Sequence, residues 1–337
     1  MKFPRKLIAA SLLALAPLAS FAAGSAGVEH TTQNFLEALA KGGGQPLETL
    51  TPAAARQVLV GAQEGAKLPA ADVSQKTITV DGKQIKLHIV RPAGAKGVLP
   101  GFIFVHGGGW ILGDFPTHER FVRDLVADSG AVAIFVDYTP SPEARYPVAI
   151  NEIYAATKWV AENGAQINVD GKRLAIAGNS VGGNMATVVA QMAKEKGKPA
   201  LRAQVLFWPV TNANFENASY DEFADGHFLT RNMMKWFWDA YTTDPKQRQD
   251  IHASPLLATP EQLKGLPPTL IQTAEKDVLR DEGEAYGRKL DAAGVSVVVT
   301  RYNGMIHDFG LLNVLSDVPA TRSALHQASE ELKARLK

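Results

Sequence analysis

Residues 173–190 read Arg-Leu-Ala-Ile-Ala-Gly-Asn-Ser-Val-Gly-Gly-Asn-Met-Ala-Thr-Val-Val-Ala, and their reading decides the fold. The apolar run 174–177 predicts a buried strand, and the Ala-, Val- and Met-rich stretch after Val181 predicts a helix. Between them Gly178, Ser180 and Gly182 form a G-x-S-x-G turn. Such a turn is so tight that the positions two before and two after the serine have no room for a Cβ. The serine is held strained at the tip, with its hydroxyl at the edge of a sheet. With glycine and serine each near ~7% of residues, about 0.1 such matches are expected by chance in a chain this long. The motif needs support from the rest of the chain: a base, an acid to orient it, and donors for a developing negative oxygen.

On either side of the turn, apolar runs alternate with helical patterns. Strands are expected at 102–105, 132–136, 174–177, 203–207, 269–273 and 295–302, and helices at 118–128, 148–163, 181–196, 282–293 and 319–336. Short, wholly apolar strands alternating with helices predict an α/β fold: a mostly parallel sheet covered on both faces. At one edge, 77–80 and 85–90 flank Asp81-Gly82, the signal for an antiparallel hairpin with a primed turn. Two stretches depart from the rhythm. Residues 28–75 read as loosely organised helix, broken at Gly42-Gly43-Gly44 and restarted at Thr51-Pro52. Residues 211–250 show no strand and many aromatics, Phe215, Tyr220, Phe223, Phe228, Trp236, Phe237, Trp238 and Tyr241 among them. Together these stretches fit a helical cap over the carboxyl edge of the sheet, where open α/β sheets bind ligands. Extra packing helices account for them equally well.

The 337 residues carry a net charge of +1, with 46% hydrophobic and 20% charged residues. No nucleic acid or anionic membrane is implied as a partner. Lys2, Arg5 and Lys6 precede an apolar stretch, 7–19, and then Ser20-Phe21-Ala22-Ala23. That order matches a secretory signal peptide spanning 1–22, cleaved after Ala22, with an exported (periplasmic or secreted) protein of residues 23–337 as one domain. The chain has no cysteine, so export brings no disulfides and stability must come from an ordinary core. No later stretch is long and apolar enough for stable membrane insertion. The sequence does not decide between a monomer and a homodimer.

A serine hydroxyl needs an imidazole to take its proton. In sheets of this kind the partners follow in the order Ser, Asp or Glu, His. Of the histidines after Ser180, His227 and His252 lie in or near the aromatic stretch and His326 in the last helix. His307 lies just past the strand predicted at 295–302, at the same edge as the serine. The acid should end a strand between them. Asp277 follows the 269–273 run closely; Asp281, better placed to cap the next helix, and Glu275 are its competitors. Before the turn, His106-Gly107-Gly108-Gly109-Trp110 directly follows a predicted strand. Its glycines let backbone N–H groups approach a bound oxygen, with the N–H of Val181 completing the set.

These motifs resemble one family. His106-Gly-Gly-Gly-Trp110, Asp137-Tyr138, Pro142-Glu143, Gly178-Asn-Ser-Val-Gly-Gly183, Asp277-Val-Leu-Arg-Asp281 and His307-Asp-Phe309 are similar to those of the hormone-sensitive-lipase-like branch of the α/β-hydrolases, the bacterial family IV esterases. The resemblance implies an α/β-hydrolase fold with a helical cap. It makes Ser180 the nucleophile, Asp277 the acid, His307 the base, and Gly108, Gly109 and Val181 the oxyanion donors. The chain departs from the pattern at Asn179, where the family commonly has Asp, and at Thr139-Pro140-Ser141, where Arg-Leu-Ala is usual.

The expected activity is a cofactor- and metal-independent carboxylesterase. It would hydrolyse small-molecule esters of short to medium acyl chains through an acyl-enzyme, with Trp110 and Trp208 as candidate pocket walls. Acyl transfer or amide cleavage by the same residues, and a non-catalytic binding protein on this fold, are the alternatives.

Overall fold

The computed structural model describes residues 23–337; the leader expected at 1–22 lies outside them. Two helices come first, α1 (His30–Gly42) and α2 (Pro52–Ala62). Thr51 caps α2 by accepting from the Ala54 N–H, with Pro52 in the first turn, where its missing N–H costs nothing. The chain then enters a hairpin of β1 (Ala71–Val80) and β2 (Lys83–Pro92), turning at Asp81 (φ 49°) and Gly82 (φ 78°). Two successive positive φ values define the primed turn expected of Asp-Gly.

From β2 onward the order is β3 (Leu99–Val105), α3 (Phe115–Ser129), β4 (Val132–Asp137), α4 (Val148–Asn163), β5 (Val169–Asn179), α5 (Val181–Glu195) and β6 (Gln204–Phe207). The aromatic stretch follows, carrying α6 (Ala218–Glu222), α7 (Arg231–Tyr241) and α8 (Pro245–Arg248). After it come α9 (Pro260–Leu263), β7 (Thr269–Lys276), α10 (Arg280–Ala292), β8 (Val297–Ile306) and α11 (Pro319–Arg335).

Among the described residues the strands form one eight-stranded sheet in the order β1-β2-β4-β3-β5-β6-β7-β8. Strands β3 to β8 pair in parallel, and the β1–β2 hairpin joins β4 antiparallel. Side chains alternate between two cores, as a strand's period of two requires. On β3, Ile103 and Val105 enter one core, with Met185 and Val188 of α5 and Ile150 and Ile153 of α4. Phe102 and Phe104 enter the other, with Phe121 and Leu125 of α3 and Leu325 and Leu332 of α11. All four β3 side chains are fully buried, which is why the strand reads as an unbroken apolar run.

The structure corrects several sequence boundaries. Residues 71–75 belong to β1, not to the helical stretch 28–75. They were illegible because β1 is an edge strand with mostly exposed side chains and no alternation to read. Helix α3 begins at Phe115, before the expected 118, because Asp114 and Thr117 form a reciprocal capping box. Strand β8 runs to Ile306, past Gly304 (φ 74°), with a register shift opposite Ala274 and Lys276. His307 is thus the residue that immediately follows a strand.

In the aromatic stretch, Thr230 caps α7, and Met234, Phe237, Trp238 and Tyr241 are its buried residues. Their i, i+3, i+4, i+7 spacing is one apolar face of a helix, and that face is turned inward. The N-terminal segment also reaches this region. Gly24 N–H donates to Gly226 O, the Ser25 hydroxyl meets His227 Nε2 at 2.9 Å, and Glu29 N–H donates to Gly304 O.

Candidate active site

Strand β5 ends and α5 begins on either side of Ser180, which has φ 55° and ψ −123°. That left-handed backbone is strained for a non-glycine residue. Crowding enforces it: a Cβ at Gly182 would sit on the Val105 carbonyl oxygen. Ser180 N–H donates to Phe207 O on β6, and its carbonyl accepts from Val210 and Asn184, so the turn is tied to both neighbours.

Three residues from three strand ends meet here. Ser180 Oγ lies 3.0 Å from His307 Nε2, and His307 Nδ1 lies 2.7 Å from Asp277 Oδ2. The other Asp277 oxygen accepts the Leu279 N–H at 3.0 Å. Ser180, Asp277 and His307 expose only 4%, 1% and 2% of their surfaces, so little solvent screens the contacts among them. Burial by itself would push the His307 imidazole down; the charges of Asp277 and Asp308 and the hydrogen bond to Asp277 outweigh it and raise its pKa above the ordinary 6.5.

The competing candidates are engaged elsewhere. Asp281 does not cap α10, whose N-cap is Leu279; it lies in the first turn, paired with Arg280 and accepting the Ser219 N–H. Glu275 accepts the Gly304 N–H at 2.6 Å. His227 meets Ser25, His252 pairs with Glu195, and His326 is exposed on α11.

The glycine loop lies against the same turn. Gly107 N–H donates to Asn179 Oδ1 at 3.0 Å, whereas among the described residues the N–H groups of Gly108, Gly109 and Val181 have no acceptor. Val181 opens α5, so its N–H has no partner within the helix, and the positive end of the helix dipole lies beside Ser180. Gly109 (φ 62°) has no room for a side chain, because the Phe237 ring of α7 fills the place of a Cβ. His106 anchors the loop, stacked on Tyr138 at 4.2 Å, with the Tyr138 hydroxyl donating to its carbonyl. Burial pushes its imidazole pKa below the ordinary value. Trp110 and Trp208, read as pocket walls, are each 1% exposed and packed among aromatics. Trp110 stacks on Tyr241, and Trp208 packs on Phe309 while its indole donates to Asp308 Oδ1 at 2.6 Å.

Sequence reasoning gave no role to Asp308 or Glu282. Asp308 collects the indole of Trp208 and the amide of Asn179, partners 100 and 129 residues away that no local pattern announces. Glu282, fully buried behind Asp277, accepts the N–H groups of Thr211 and Asn212; burial pushes its carboxyl up to about 8, with Asp277 adding to the rise.

Known proteins share this sequence and fold. A family profile described as the alpha/beta hydrolase fold matches residues 102–311. Carboxylesterase NlhH of Mycobacterium tuberculosis is 37% identical over 275 residues, 80% of this chain and 84% of that protein. Ethyl acetate hydrolase of Pseudomonas putida is 35% identical over 234 residues, 68% of this chain and 73% of the relative. A thermostable esterase from Pseudomonas putida ECU1011 superposes with a TM-score of 0.92 at 67% identity, covering 93% of this chain and 99% of that one. The chain belongs to the α/β-hydrolase family, in its hormone-sensitive-lipase-like branch, and is a carboxylesterase-type hydrolase.

Proposed function

We propose that the chain hydrolyses small esters of short to medium acyl chains through an acyl-enzyme on Ser180, with His307 as general base and Asp277 as its orienting acid. The observation that carries this is the continuous chain Ser180 Oγ–His307 Nε2 at 3.0 Å and His307 Nδ1–Asp277 Oδ2 at 2.7 Å, beside three backbone N–H groups without acceptors among the described residues.

Ser180 Oγ attacks the ester carbonyl and its proton passes to Nε2 of His307. Asp277 holds the Nδ1–H tautomer and stabilises the imidazolium that forms. The carbonyl oxygen, now anionic, meets the N–H groups of Gly108, Gly109 and Val181. The C–O bond to the alcohol breaks as His307 returns its proton to that oxygen. Water, deprotonated by His307, then attacks the acyl carbon and releases the carboxylic acid and free Ser180. Short chains are favoured because the serine is nearly enclosed, with Phe237 of α7 seated on the glycine loop. Segments 28–75 and 211–250, less the part of the former paired in β1, act as the cap that makes this enclosure. The leader 1–22 directs export, and the protein works in the periplasm or outside the cell.

The test is hydrolysis of p-nitrophenyl esters graded from acetate to palmitate, by wild type and Ser180→Ala. Wild type should prefer acetate to hexanoate over longer chains, and the variant should be inactive. An undiminished rate in the variant would sink the reading. N-terminal sequencing of protein recovered outside the cytoplasm should begin at Ala23.

A further inference from the structure

Next to the base stands a second carboxylate that the proposed reaction does not use. Asp308 Oδ2 lies 3.7 Å from His307 Nε2, the nitrogen that faces Ser180. Its other oxygen, Oδ1, accepts from Trp208 Nε1 at 2.6 Å and from Asn179 Nδ2 at 2.9 Å. Asn179 spends its carbonyl oxygen on the Gly107 N–H at 3.0 Å. One amide therefore links the glycine loop, the turn of the nucleophile and the loop of the base. Asn179 is fully buried and Asp308 is 7% exposed, so little solvent screens these contacts.

We propose that Asp308, clamped by Asn179 and Trp208, is a positioning residue that serves as a second counter-ion for His307, on the Nε2 side opposite Asp277. This deepens the reading of His307 as the base and rests on it. At 3.7 Å the contact is too long for a hydrogen bond, and Ser180 already holds that position at 3.0 Å. Asp308 therefore acts on the imidazole through its charge. Two donors on Oδ1 hold the carboxylate in place and stop it from swinging in to displace Ser180. The buried ring gains positive charge as Ser180 loses its proton, and a fixed anion beside Nε2 stabilises that state.

The identity of residue 179 follows from the same geometry. A carboxylate there would face Asp308 across 2.9 Å, without the proton that the amide donates. Like charges at that distance in a buried site cannot both stay ionised. The amide at 179 and the carboxylate at 308 belong together. Among the described residues, Asp277, past the end of β7, and Asp308 are the charged groups acting on the imidazole. Glu282 of α10 and Tyr220 of α6 face Asp277 from behind.

The experiment is a cycle of Asp308→Asn, Asn179→Asp and the double exchange, with wild type and Ser180→Ala alongside. Each is assayed for kcat/KM on p-nitrophenyl acetate from pH 5 to 9 and for its melting temperature. Asp308→Asn keeps the shape, still accepts from Trp208 and Asn179, and tolerates the left-handed backbone (φ 56°). It should stay folded while its acidic limb moves down by about one pH unit. Asn179→Asp alone should lose most activity. The double exchange removes the like-charge contact but loses the indole hydrogen bond, because the amide nitrogen that donates to position 179 takes the place of the oxygen that accepted Trp208 Nε1; it should recover part of kcat over Asn179→Asp and keep the lowered limb. A purely structural role would give recovery with no displaced limb. A folded Asp308→Asn whose limb does not move, or a double exchange no better than Asn179→Asp, overturns the proposal. Activity surviving in Ser180→Ala would instead remove the underlying reading.

Discussion

The indole of Trp110 lies flat on the ring of Tyr241, with centroids 4.2 Å apart and planes within 6°. This contact fastens the glycine loop to α7, one turn along the helix from Phe237, which sits on Gly109. The Tyr241 hydroxyl is buried with no hydrogen-bond partner among the described residues. Tyr241→Phe should therefore melt at or above the wild-type temperature, since it removes an unsatisfied polar group. Tyr241→Ala should lose about 3–5 kcal/mol of stability. It should also lower kcat by loosening the loop. Urea unfolding and ester kinetics on both variants check this, and an alanine variant as stable as wild type would refute it.

Gly109→Ala is expected to damage catalysis far more than binding. The new methyl would meet the Phe237 ring, and the backbone is left-handed at φ 62°. Displacing one oxyanion donor costs about 10²–10³ in kcat. KM on p-nitrophenyl acetate should change by less than kcat does.

The two aspartates of the segment after β7 should separate cleanly. Asp277→Asn imposes the wrong imidazole tautomer and should reduce kcat by about 10⁴. Asp281→Asn loses its pairing with Arg280 at a partly exposed site, worth about 1 kcal/mol or less. Equal kcat losses in the two variants would contradict the geometry.

The pH dependence follows from His307. In the proposed reaction its neutral form is the base, so kcat/KM should rise with pH as the ring loses its proton. Two carboxylates raise that pKa, so the midpoint of the rise should lie above 6.5, not at it as an unperturbed histidine would give. A midpoint at or below 6.5 in the wild type would be at odds with the site's electrostatics.

Glu282 makes stability depend on pH. Its carboxyl titrates at about 8 in the folded chain, against about 4.3 when unfolded. The folded state therefore holds the extra proton, and the resulting stabilisation is present at low pH. It is lost as pH climbs from roughly 4.3 through 8. Glu282→Gln can accept the same two N–H groups and carries no charge. Its melting temperature relative to wild type should rise steadily between pH 5 and 8.5; a constant difference would contradict the assignment.

Much of this was legible in the sequence because it is local or ordered. The G-x-S-x-G turn, the apolar strands and the Asp-Gly hairpin each carry their own short-range signature. His307 and Asp277, which the structure brings together with Ser180, could be picked out because strand order limits which residues reach that edge of the sheet. The remainder lay beyond such signals. The beginning of β1 was hidden by exposure on both faces, and the last residues of β8 by Gly304, which interrupts the apolar run. The packing of Trp110 and Trp208, each 1% exposed, ties distant loops together, and no local pattern announces it. Asn179 stood out only as an oddity. Its partner across 129 residues of sequence had to be seen in space.

The contacts of residues 23–29 bear on how the protein should be handled in the laboratory. Ala23 accepts from the Gln33 side chain, Gly24 holds Gly226, Ser25 meets His227, and Glu29 holds Gly304, three residues before the base. An affinity handle or fusion partner joined directly at Ala23 would pull on that seam and, through Gly304, on His307. Lys337, exposed just past α11, is a position where a fluorophore or immobilisation linker leaves that seam untouched.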